Sequence, residues 1–151
     1  MKRFSFRLQS LLNYRSHLEY FAKQETAKAY MGVRESEERI VQLKNEFSRI
    51  AKILDNSAVK GVSAREFKRF NDYLDSVDND IKGETATKKS LEKILRDKQK
   101  ILTEKSVELK VLERLKEKQE KQYMDEFLKD EQKNLDEVAS LKKAREITNA
   151  A

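Results

Sequence analysis

Asp55-Asn56-Ser57-Ala58-Val59-Lys60-Gly61-Val62-Ser63-Ala64-Arg65-Glu66 is the one stretch that punctuates this chain. Asp55, Asn56 and Ser57 are poor helix formers, and Gly61 follows them. Ser63-Ala64-Arg65-Glu66 then reads as a capping box: the Ser63 hydroxyl accepts from the Glu66 amide, and the Glu66 carboxylate reaches back to the Ser63 amide. Val62 and Phe67 occupy the two hydrophobic staple positions around that cap. Outside this stretch nothing interrupts a helix, because the 151 residues contain no proline and only three glycines. The sequence therefore predicts two arms: a first from about residue 5 to 55, a loop over 56–62, and a second from about 63 to 147. A short connection forces antiparallel neighbours. The expected fold is all-α, a long antiparallel two-helix coiled-coil hairpin forming one elongated domain over 1–151, with the second helix the longer.

The composition agrees. Charged residues make up 40% of the chain and hydrophobic residues 38%, so any core is a narrow seam. Such a hairpin offers little room for a catalytic pocket. There is no cysteine, hence neither disulfide nor thiolate chemistry, which suits a cytoplasmic protein. No run approaches the roughly 18 consecutive apolar residues needed to cross a membrane. The basic start, Met1-Lys2-Arg3-Phe4-Ser5-Phe6-Arg7, lacks the apolar core and cleavage site of a signal peptide. Net charge is +6, from 33 basic and 27 acidic residues with the signs interspersed. That is too diffuse for a nucleic-acid stripe, and the intervening acids argue against binding through Lys98, Lys100 and Lys105.

Spacings of three and four residues trace the seam. The first arm gives Leu8, Leu11, Arg15, Leu18, Ala22, Glu25, Ala29, Val33, Ser36, Ile40, Leu43, Phe47, Ile50 and Leu54. Two successive steps of four, Glu25 to Ala29 to Val33, form a stutter that locally unwinds a left-handed supercoil. The second arm gives Phe67, Phe70, Leu74, Val77, Ile81, Glu84, Lys88, Leu91, Leu95, Lys98, Leu102, Lys105, Leu109 and Leu112. Its weak spot is Asp78-Asn79-Asp80-Ile81-Lys82-Gly83, which leaves room for a kink or short break near Gly83. Folding back at about residue 59 sets Leu54, Ile50, Phe47, Leu43 and Ile40 against Phe67, Phe70, Leu74, Val77 and Ile81. Leu18, Leu11 and Leu8 then meet the stretch from Leu102 to Leu112. A competing geometry folds 63–82 as a separate short helix and pairs the first arm with the chain end. At about 1.5 Å per residue the arms span roughly 75 Å and 120 Å. About thirty C-terminal residues would overhang, and a helix without a buried face is marginal in water. Such an overhang frays, binds something or pairs with another copy.

Chemistry-bearing patterns are absent from the sequence. His17 is the sole histidine and cannot form a zinc site alone. Glu37-Glu38 belongs to a solvated helix face. Asp78, Asn79 and Asp80 faintly resemble a calcium loop, but the twelfth position is Lys89 rather than glutamate. No catalytic residue, cofactor site or metal site is expected. The aromatics carry more information: Phe4, Phe6, Tyr14, Tyr20, Phe21 and Tyr30 cluster in the first thirty residues. Tyr14, Phe21 and Tyr30 lie off the seam, either as partner anchors or within a wider seam. Tyr73 raises the same question near the tip.

The segment Phe6-Arg7-Leu8-Gln9-Ser10-Leu11-Leu12-Asn13-Tyr14-Arg15 resembles the opening of the flagellar type III export protein family FliJ. The break and the aromatic helix Phe67-Lys68-Arg69-Phe70-Asn71-Asp72-Tyr73-Leu74 are similar to that family as well, and the likeness covers essentially the whole chain. The resemblance implies an antiparallel coiled coil like the central stalk of rotary ATPases. It implies a non-enzymatic part of the flagellar export apparatus, cytoplasmic and peripheral at the inner-membrane base of the flagellum. Its implied partners are the hexameric export ATPase, the cytoplasmic domain of the export gate membrane protein, and substrate-specific export chaperones. It implies neither nucleic-acid binding nor direct membrane insertion. The ATPase-contact candidates are Phe6, Arg7, Leu8, Leu11, Leu12 and Arg15. By alignment of the break, the export-gate-contact candidates are Leu43, Ile50, Tyr73 and Val77. Arg39, Glu46, Asp80 and Glu84 fall at aligned positions but are charged. The seam also assigns Leu43, Ile50 and Val77 to the core, and a residue cannot be both fully buried and a contact. The alternatives are the equivalent stalk of a virulence secretion system and a structural coiled coil that simply self-associates.

Overall fold

The computed structural model describes residues 2–150 of the chain. Two helices account for nearly all of it: α1, Gln9–Lys60, and α2, Ala64–Ala150. The expected all-α hairpin with a longer second helix is what forms. Contacts within it run antiparallel. As the α1 partner falls from Leu54 through Ser36 to Thr26, the α2 partner rises from Leu74 through Glu84 to Lys98.

The connection is tighter than the sequence suggests. α1 continues five residues past Asp55 to Lys60, so the linker is only Gly61, Val62 and Ser63. Ala58, Val59 and Lys60 carry the helix on, and Lys60 places a positive charge in its last turn, where the helix dipole favours one. Gly61 ends it at φ 89°, the left-handed conformation that glycine adopts without a Cβ penalty. Ser63 then caps α2: its Oγ accepts from the Glu66 amide at 3.2 Å.

α2 is helical straight through Gly83, where the sequence allowed a kink or a short break. The competing short helix over 63–82 does not form either. Leu74 packs against Ile50 and Leu54, an apolar pairing that a separate helix would forfeit. Thr85 and Thr87 return hydrogen bonds to the carbonyls of Ile81 and Gly83, and Lys82 pairs with Asp78 at 3.1 Å. The Lys82–Asp78 pair supports the turn that its composition weakens.

The chain's contacts divide into two compact units, Met1–Leu18 with Ser106–Ala151, and Glu19–Lys105. In the second unit Ile50, Leu54 and Leu74 form a cluster with Phe47, Ala51 and Phe70 against it. Toward the stutter the seam becomes small and polar. Ala22, Val33 and Ser36 are buried, and cross-helix contacts are made by Thr26 to the Lys98 carbonyl, Glu25 to Lys98, and Glu37 to Lys88. Among the described residues no buried side-chain nitrogen or oxygen lacks a partner, so this layer avoids the cost of unpaired polar groups.

In the first unit the seam departs from expectation. Leu8 and Leu11 are 36% and 37% exposed, while Phe6 and Leu12 are buried with Leu109 and Leu112. The cause is local. α1 begins only at Gln9, after a turn over Arg7 and Leu8 closed by the Gln9 amide on the Phe6 carbonyl at 3.1 Å. The preceding residues are non-helical, so the three-four spacing does not apply to them.

Candidate functional sites

Two groups of residues were expected to meet partners, and each lies within one unit. In the first unit, residues 2–8 run along α2. Phe4 stands 5.6 Å from the ring of Tyr123, which stacks on Phe127 at 6.4 Å. The Tyr123 hydroxyl donates to the Lys2 carbonyl at 2.6 Å. Phe6 is buried in the cluster described above, with Phe4 and Leu115 beside it. Of the six ATPase-contact candidates, Phe6 and Leu12 are therefore core residues. Arg15 is half-buried, and its Nη1 donates to the Glu108 carbonyl at 3.2 Å, tying α1 to α2. Arg7, Leu8 and Leu11 face solvent. The exposed surface carried by this segment is thus basic and apolar, beside the buried Phe6.

Sequence reasoning did not find the Phe4–Tyr123–Phe127 stack. A signal was present: Phe4, Phe6 and Leu8 alternate with period two, the mark of an extended segment rather than a helix. Tyr123 and Phe127 also sit four apart on a helix, on one face.

In the second unit the gate-contact candidates divide similarly. Ile50 and Val77 are buried, at 8% and 4% exposure, and Leu43 is half-buried. Tyr73 is 46% exposed. It lines an open groove of about 640 Å³ together with Glu46, Arg49, Ser57, Glu66, Arg69 and Phe70. Arg49 makes a bidentate pair with Glu46 at 2.9 and 2.7 Å, and the Tyr73 hydroxyl donates to Glu46 Oε1 at 3.1 Å. The Arg49 hydrogen bond and then that of Tyr73 hold the Glu46 carboxyl below its ordinary value. The Tyr73 phenol is raised, first because its proton is held in the hydrogen bond to Glu46 and second because its ionisation would place another negative charge against that carboxylate. The groove is amphipathic: an aromatic floor with a fixed ion pair and a second arginine at its rim.

The off-seam aromatics Tyr14, Tyr20, Phe21 and Tyr30 are each at least half exposed. No wider seam covers them. Glu46 and Glu84, charged at family-aligned positions, both act as cross-helix acceptors. Among the described residues no cluster of histidine and carboxylates could hold a metal ion, and no helix is long and apolar enough to cross a membrane.

A family model described as the flagellar FliJ protein matches residues 4–147. The chain belongs to the FliJ family. It is accordingly a protein associated with flagellar export, and the family is a non-catalytic component of the export machinery. No curated protein and no solved structure gives a significant match. The matched span opens on Phe4, the first aromatic of the segment that lies along α2, and includes both groups of candidate contacts.

Proposed function

We propose that this FliJ-family chain is a central-stalk-like component that engages the hexameric export ATPase through its first unit. It links that ATPase to the cytoplasmic domain of the export gate through the groove around Tyr73, and it escorts substrate chaperones. Its place is cytoplasmic, peripheral at the inner-membrane base of the flagellum. The family match over residues 4–147 carries the reading. The exposure of Arg7, Leu8 and Leu11 beside a buried Phe6 anchor supports it, because it supplies a basic and apolar patch on a fixed support. The patch does no chemistry. An effect on ATP hydrolysis arises from preferential binding to one subunit conformation or to the assembled ring.

The test is the ATPase rate of the cognate export ATPase at low concentration, where the ring is incompletely assembled. The wild-type chain is expected to stimulate it severalfold. Leu8→Glu with Leu11→Glu is expected to abolish the stimulation while helix content is kept, since both side chains are substantially exposed. Phe6 is unsuitable for this purpose, because replacing it disturbs the fold. Absence of stimulation together with absence of co-migration would sink the proposal.

A further inference from the structure

Residues 128–150 form the last part of α2, and every one of them is exposed. Along this segment and the turn before it, Met124, Leu128, Leu135 and Val138 recur at intervals of four, seven and three, each more than half exposed. At 100° per residue they fall within an arc of roughly 80°. Glu131 and Lys142 lie on the same face, so it reads Met124, Leu128, Glu131, Leu135, Val138, Lys142. The alternating three- and four-residue steps are those of a coiled-coil seam with no partner.

Charge says what covers it. Over 125–137 six acidic residues oppose two basic ones, a net −4; over 138–150 three basic residues oppose one acidic, a net +2. A parallel pairing of two copies sets Glu131 on Glu131, Lys142 on Lys142, and acidic half on acidic half. An antiparallel pairing with its dyad between Asp136 and Glu137 sets Leu135 on Val138 of the second copy. It also sets Glu131 on Lys142, twice each by symmetry, and crosses the acidic half with the basic one. We infer that this face is a self-association surface, joining two copies of the chain as an antiparallel pair centred near residues 136 and 137. The face belongs to the same unit as the ATPase reading but uses none of Arg7, Leu8 and Leu11, so the variants that test the two are distinct.

Sedimentation velocity on the full chain from about 5 to about 200 µM tests the inference. A dimer population rising with concentration is expected. Leu135→Asp with Val138→Asp should return the chain to monomer across that range, with the far-ultraviolet circular dichroism retained. Glu131→Lys and Lys142→Glu, each alone, should weaken the dimer by about tenfold, and mixing the two variants should restore it. Orientation is read by oxidative cross-linking in a chain that has no native cysteine. Leu135→Cys should link. Leu128→Cys should not, because the two copies of that position lie about 25 Å apart along the antiparallel pair. A monomer at every concentration, a dimer indifferent to the paired aspartates, or cross-linking through position 128 would each overturn the proposal.

Discussion

Ser36 is completely buried and donates its hydroxyl to Glu84 Oε1 at 2.8 Å, while Arg39 Nε donates to the same oxygen at 2.9 Å. Two donors from α1 on one carboxylate of α2 fix the axial register of a seam whose other residues here are small. A one-turn slip would set Ser36 against Ile81 or Lys88 in place of Glu84. The Ser36 hydrogen bond first, and Arg39 second, hold the Glu84 carboxyl below its ordinary value of 4.5. A depressed carboxylate stabilises the fold fully above its unfolded value, and that contribution is lost as pH falls through the folded one. Acid titration of helix content in the wild type should therefore show a component below pH 4.5 that Glu84→Gln removes, with the variant less stable at neutral pH. Gly61 is the other residue with a narrow role. At φ 89° any side chain is strained, so Gly61→Ala should lower stability by about 1 kcal/mol in urea unfolding.

At the scale of single elements, α2 tolerates what its sequence warned against. A Cβ at Gly83 would meet nothing within 4 Å, so Gly83→Ala should raise stability by about 1 kcal/mol through helix propensity alone. A loss would mean that the position needs its flexibility. The segment before α1 behaves oppositely. Phe6 anchors it on Leu109 and Leu112, and Phe6→Ala should cost about 2–3 kcal/mol of local stability. Hydrogen exchange should then show lost protection around Gln9–Leu12, with amides near Leu54 and Leu74 unchanged because they belong to the other unit. The helix limits were legible where capping chemistry sets them, at Ser63, and less so at Asp55, where three weak helix formers were outvoted by the continuing turn to Lys60. Propensity is a weak prior once a neighbouring helix supplies contacts.

For the whole molecule, the pairing of the arms and the family were both readable in advance. The apolar matching of Leu54 and Ile50 with Leu74 leaves few registers, and the three-residue linker leaves one orientation. The candidate contacts were less legible. The three-four seam already placed Ile50 and Val77 in the core, as the packing does, which leaves them unavailable as contacts. Only the packing showed that Tyr73 and its arginine-rimmed groove stay outward. A pull-down with the cytoplasmic domain of the export gate should accordingly be weakened by Tyr73→Ala with Arg69→Glu. Equal capture of that variant and wild type would remove the groove from the proposed linkage.

The sequence by itself determined an all-helical hairpin, its turn, its cap and most of its seam, because these follow from propensity, capping and three-four spacing, which are local along the chain. The tertiary structure alone decided that Phe6 and Leu12 replace Leu8 and Leu11 in the core, that Ser36 and Arg39 share Glu84, and that Tyr123 receives Phe4. Each of these depends on residues at least 45 positions apart, whose meeting is set by how two helices pack and by where the chain leaves the helix.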